Sequence, residues 1–403
     1  MAWGILSPDA VISQRRQQNL ELGAAVRYFN DAAVPGLGGM WFAMPVVWSV
    51  VAVSIAEKLQ QPALPVGNAI EALAMSQAKD GPIDRRVRGK RKLQGLTDWS
   101  FEKLRKRGTY VVQPIRMAMV QPLVALGFAQ GSRYGAFQLH TAGKRMLELP
   151  IVEHYRDTLL AWANGKNPRG LSEVIAAISP TEDVRPEVRK LILARLIDGE
   201  DQASTRRRNL VSLGTGPSSQ QLENTRPPPG VDDDHWRDLR GGAAFMEIRD
   251  AALSVLDRLE QRLLKLRDDN EAVRLSEEQA ASAAEEEIEA LGRLTDRLGD
   301  RVRGADEPVS KAFLAELASL DPPHLVRRLA ERDGTVIRWH GDQLRLGAAA
   351  GELKRNDELG EEGIPPKDDV FAPQLFRLYN LHCLATELSG KANPGVTRHE
   401  GIA

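Results

Sequence analysis

Basic side chains form the densest single-chemistry cluster in the chain. Arg85, Arg86, Arg88, Lys90, Arg91 and Lys92 fall within eight residues, and Lys103, Arg105, Lys106 and Arg107 follow soon after. Guanidinium and ammonium groups at this density attract phosphodiester backbones, and such contacts add affinity without reading sequence. Side chains suited to base edges are sparser: Gln113, Arg116 and Gln121, with Arg133 beyond them. Duplex DNA is therefore the expected partner, bound with little sequence preference.

Other chemistries find fewer residues. The seven histidines are scattered, and no two share the i, i+4 spacing of a helical metal site. Asp232, Asp233, Asp234, His235 and Asp238 carry enough oxygen for a divalent ion, yet an acidic run of this kind reads as a solvated surface. Gly214-Thr-Gly-Pro lacks the lysine of a phosphate loop, and Gly36-Leu-Gly-Gly lacks the dinucleotide-binding spacing. The single cysteine, Cys383, excludes an internal disulfide or a cysteine-based zinc cluster and accords with a reducing cytoplasm. Its neighbours in Phe376-Arg-Leu-Tyr-Asn-Leu-His-Cys-Leu predict a buried, inert thiol. No catalytic residue, metal or cofactor is expected, and the role that follows is non-enzymatic.

The elements that must position the basic cluster are legible from residue 97 onward. Thr97 and Asp98 can cap a short helix through Lys106, and Gly108 supplies the turn that ends it. Ile115, Met119, Leu123 and Leu126 make one apolar face of a second helix beginning near Pro114. Pro122 falls inside that helix and predicts a kink or a split. Residues 128–130 and 135–140 read as a hairpin around Gly131-Ser-Arg-Tyr, and Thr141 opens a closing helix. Helix, turn, helix and hairpin is the order of a winged helix. The segment Leu139-His-Thr-Ala-Gly-Lys-Arg-Met-Leu147 resembles the strand-to-helix junction of winged-helix proteins, which implies a second helix in the major groove and a hairpin on the backbone.

The rest of the chain predicts a mainly α protein. Apolar residues make up 42% and aromatic residues 5%, a balance that favours helix over sheet. Residues 1–78 read as a helical N-terminal region, without a signal peptide. Its uncharged stretch 32–56 is interrupted by Pro35, Gly36, Gly38, Gly39 and Pro45, which predicts a buried helix rather than a membrane span. A basic loop and the winged helix occupy 79–149, and a helical extension 150–200. Residues 201–240, rich in Pro, Gly, Ser and charge, are expected to be a flexible linker. Over 241–304 a narrow apolar seam runs from Phe245 to Leu266 and resumes at Ile288, Leu291, Leu294, Leu298 and Val302. Such a seam needs another helix, supplied either by an antiparallel hairpin turning near Asp268-Asp-Asn or by a long coiled coil. A small α+β C-terminal unit, 305–390, contains a hairpin turning on Gly341-Asp342, and 391–403 is a tail.

The leading expectation is a cytoplasmic DNA-binding protein that meets itself or a partner subunit through 243–303. The alternative is a scaffold subunit docking through its winged helix and long helices. In that arrangement of modules it resembles the kleisin-type subunits of chromosome-organising complexes, a likeness of architecture that implies no residue roles.

Overall fold

The computed structural model describes residues 20–81, 84, 86–111, 114–214, 219–351 and 376–392. The chain is mainly helical, with two small two-stranded antiparallel sheets. It begins with α1 (Gly23–Ala33), α2 (Met44–Leu59), α3 (Ala63–Met75), α4 (Lys90–Gln94) and α5 (Phe101–Leu104). A 3₁₀ turn, Ile115–Met119, then leads into α6 (Val120–Ala125), β1 (Ala129–Gln130), β2 (Gln138–Leu139) and α7 (Thr141–Leu147). Next come α8 (Pro150–Ala163), α9 (Leu171–Ala177), α10 (Pro186–Ile197), α11 (Gln202–Ser212) and α12 (Ser219–Glu223). The last third holds α13 (Asp233–Asp268), α14 (Glu277–Ala283), α15 (Glu285–Arg303), α16 (Pro308–Ser319) and α17 (Pro322–Asp333). It ends with β3 (Ile337–His340), β4 (Gln343–Leu346) and α18 (Phe376–Leu388). Two compact units result: residues 1–30 with 233–355, and residues 31–232 with 356–403.

The second of these units is built around α2. Every residue from Met44 to Ala56 is buried, because a helix that is apolar all round must be covered on all sides. α3, α7, α8 and the 3₁₀ turn pack on it, and Trp48 donates its indole N–H to the Ile178 carbonyl at 2.9 Å. Among the described residues no helix is long and apolar enough to cross a membrane. Cys383 lies fully buried in α18.

Part of the expected linker, 201–240, is a helix. Asp201 caps α11 by accepting from the Ser204 N–H at 2.9 Å. Arg207 is buried and donates to the carbonyls of Leu196 and Pro35 at 2.7 and 2.6 Å, while Arg206 reaches the Ala32 carbonyl at 3.1 Å. The run Ser-Thr-Arg-Arg-Arg reads as solvated, but its guanidinium forks satisfy carbonyls that would otherwise be orphaned. Desolvation lowers the pKa of Arg207 from its ordinary value. The Pro-rich stretch after Glu223 is irregular up to α13.

In the other unit α13 and α15 pack antiparallel. Glu247 pairs with Arg297 at 2.8 Å, and Arg258 with Glu287 at 3.7 Å, so partners rise along one helix as they fall along the other. The seam is Phe245, Ile248, Ala252, Val255, Leu259 and Leu263 against Ile288, Leu291, Leu298 and Val302. Leu294 is only half-buried, and Thr295 takes its place in the seam with its hydroxyl donated back to the Leu291 carbonyl at 2.9 Å. α13 ends at a left-handed Asn270, φ 55°, where the chain turns. Ser276 and Gln279 then form a capping box for α14. The hairpin β3–β4 turns on Gly341, φ 65°, with Asp342 beside it.

Candidate nucleic-acid interface

The turn between α5 and the 3₁₀ segment is held by two side chains of α3, one turn apart. The Asn68 amide donates to the carbonyls of Leu104 and Lys106, the latter at 3.1 Å, which closes the C-terminal end of α5. Glu71, 1% exposed, accepts from the Tyr110 hydroxyl at 2.9 Å and from the backbone N–H of Ile115 at 2.7 Å. It also accepts from the N–H of Arg116 at 3.3 Å and pairs with its guanidinium at 3.1 Å. Pro114 offers the 3₁₀ segment no side-chain cap, so a carboxylate from another helix does that work. Burial, then the Glu71 charge, pushes the Tyr110 hydroxyl well above its ordinary pKa.

The hairpin after α6 is fixed from beneath. Tyr134 is buried under it, its ring directly over Gly67, where a Cβ would come within 2.8 Å. Burial raises the Tyr134 pKa to about 12. α7 crosses so closely that a Cβ on Gly143 would lie 2.2 Å from the Phe128 carbonyl oxygen, which requires glycine there. Pro122 occupies the first turn of α6, where its missing N–H needs no partner, and the preceding turn is 3₁₀. Glycines 36 and 38 fit against this proline and Ala125, at backbone angles that favour glycine, φ 72° and 55°.

The basic residues divide into engaged and exposed sets. Arg86 is buried against Asp84 at 3.0 Å. Lys90 and Lys92 donate to the carbonyls of Gly81 and Gly108 at 3.0 and 3.2 Å. Arg88 is half-buried, with its charge acting on Tyr110. Arg105 lies over the Phe101 ring at 5.7 Å and donates to Gln61 at 2.9 Å. Arg116 turns inward to Glu71, and the Gln121 amide donates to Asp31. Lys103, Lys106 and Arg107 stay exposed around the turn at Gly108, and Arg133 is exposed at the hairpin tip. Hydrogen bonds from Ser100, then the charges of Lys103 and Lys106, hold the Asp98 carboxyl below its ordinary pKa. Arg85, Gln113 and the Arg91 side chain lie outside the described residues.

Sequence reasoning did not single out Asn68 and Glu71. Their signal was present: two polar side chains at i, i+3 in the otherwise apolar Val66-Gly-Asn-Ala-Ile-Glu-Ala-Leu. Lys144 and Arg145, exposed on α7 directly after the hairpin, were also passed over. Among the described residues no group of three or more His, Cys, Asp or Glu side chains is placed to hold a metal ion. Comparison with known protein families, with curated proteins and with solved structures found no match to this chain.

Proposed function

We propose that residues 90–145 bind the backbone of duplex DNA with little sequence preference, in a cytoplasmic, non-enzymatic protein that works with partner subunits. The order of short helix, turn, split helix, two-stranded hairpin and helix supports a winged-helix reading of this segment. One observation carries the binding mode. Lys103, Lys106 and Arg107 remain exposed at the turn, while the base-reading candidates Arg116 and Gln121 are bonded to Glu71 and Asp31. Phosphate contacts without base contacts give affinity and little specificity. The test is anisotropy of a random-sequence duplex titrated with the full chain and with K103Q/K106Q/R107Q. Loss of three phosphate contacts reduces the slope of log K against log salt by about 2.7. An unchanged slope refutes the reading.

A second reading, a scaffold subunit that docks onto protein, has its own support. Met117 and Val124, 60% and 41% exposed, stand seven residues apart on the split helix and share one face. Sedimentation of the wild-type chain against M117S/V124S tests it: a mass that falls with the substitution favours docking between copies.

A further inference from the structure

The unit containing β3 and β4 carries a second cluster of cations. The hairpin register places Arg338 directly opposite Arg345, with Trp339 opposite Leu344 on the other face. A third segment joins this ribbon at Leu275, which exchanges both backbone hydrogen bonds with Leu344, at 3.1 and 2.8 Å, in an antiparallel bridge. The residue before the bridge, Arg274, is therefore the antiparallel neighbour of Arg345, the residue after it. Leu275, Ile337 and Leu344 are buried, 6%, 0% and 0% exposed, so the alternate face of the ribbon looks outward. Arg274, Arg338 and Arg345 are all exposed on it.

Three guanidiniums thus stand side by side across the two strands and the bridged segment beside them, a row roughly 10 Å long at the usual strand spacing. Among the described residues no carboxylate pairs with any of them: of those nearest in sequence, Glu277 is taken by Arg327, Asp342 sits at the turn beyond the row, and Glu271 makes no ion pair with Arg274. The neighbouring arginines of α17 differ: Arg327 pairs with Glu277, and Arg328 and Arg332 with Glu316. Like charges directly opposite one another destabilise a ribbon. A row of them without a carboxylate partner among the described residues fits a ligand that brings a line of negative charge. His340 and Gln343 extend the same outward face toward the turn with further hydrogen-bonding groups.

We infer that Arg274, Arg338 and Arg345 form a phosphodiester-binding strip, a second contact for nucleic acid outside residues 90–145. Its ligand is the backbone of a duplex, argued from charge complementarity. The strip stands independently of the function proposed above.

The test uses the full chain, a short random-sequence DNA duplex, and salt between about 50 and about 200 mM. Replacing the three arginines by glutamine, R274Q/R338Q/R345Q, removes up to three phosphate contacts and flattens the salt slope by about 2.7. Affinity then falls over this salt range by roughly 40-fold less than for wild type. The corresponding lysine variant keeps the charge and most of the slope. Thermal melting separates binding from folding, because neutralising an opposed like-charge row leaves Tm unchanged or raises it. If the triple variant melts early, R338Q alone serves, with a slope change of about 0.9. A slope equal to wild type in a folded glutamine variant overturns the inference. A flattened slope here together with none in K103Q/K106Q/R107Q supports the strip and overturns the site at 90–145. No binding of duplex by the wild-type chain overturns both.

Discussion

Replacing Glu71 by alanine strips four groups of their partner at once: the Tyr110 hydroxyl, the backbone N–H groups of Ile115 and Arg116, and the Arg116 guanidinium. All lie in the interior, where Glu71 is 1% exposed and the Arg116 side chain 11%. An uncompensated buried charge dominates the cost, about 3–5 kcal/mol, because the guanidinium was desolvated against a carboxylate that is gone. The orphaned hydroxyl and N–H groups add to it, though not in full, since a relaxed pocket admits water. A net loss of about 4–5 kcal/mol corresponds to a fall of roughly 10–15 °C in the melting of a unit this size. Glu71→Gln keeps an acceptor for Ile115 and Tyr110 and loses only the ionic part, about 2 kcal/mol. Urea denaturation measures the totals, and amide exchange over 110–119 shows whether the turn opens first. Adding Arg116→Met to Glu71→Ala removes the stranded charge and should return about 2 kcal/mol. A Glu71→Ala protein within about 1 kcal/mol of wild type refutes the account, as does a double variant no better than the single one.

Further outcomes are accessible to the same measurements. Gly143→Ala places a Cβ 2.2 Å from the Phe128 carbonyl oxygen and should destabilise by about 2–3 kcal/mol, seen as an earlier melt. Gly292→Ala, in open space on the exposed side of α15, should stabilise by about 0.5–1 kcal/mol, because glycine is the poorer helix former. Tyr134 has its folded pKa raised from 10.0 to about 12, so its contribution is complete below pH 10 and is lost as pH rises toward 12. About 2–3 kcal/mol should disappear across that window, and Tyr134→Phe should shrink the alkaline loss in a pH series of urea melts.

What the residues disclosed follows a physical divide. α13, α15 and the hairpin at Gly341 were legible because their determinants are local: a periodic apolar seam, a left-handed turn, alternating faces. Burial of α2 was legible because Pro35, Gly36, Gly38, Gly39 and Pro45 cut the uncharged stretch down to the length of a core helix. α11 was not, because Arg207 is defined by the carbonyls of Leu196 and Pro35, the second of which is remote in sequence. Arg116 and Gln121 illustrate the same limit within the candidate site. As residue types they suit base edges, and only the folded chain shows that Glu71 and Asp31 hold them. Thr295 in place of Leu294 is a shift of one helix position, which periodicity alone does not resolve.

The interlacing of the two units along the chain bears on how the protein is made. Residues 20–30 belong with 233–351, as Phe29 stacked on Phe245 at 5.0 Å illustrates, so they wait while some two hundred residues emerge. At ordinary ribosomal speeds the wait is roughly 10–40 s. The intervening unit is itself unfinished until α18 arrives, since Glu387 accepts the Ala43 N–H and α18 packs on α10 and α11. Neither unit can complete its core from one unbroken stretch of chain. Fragments divided at residue 232 should therefore misfold when expressed separately and recover, if at all, only by complementation of both pieces.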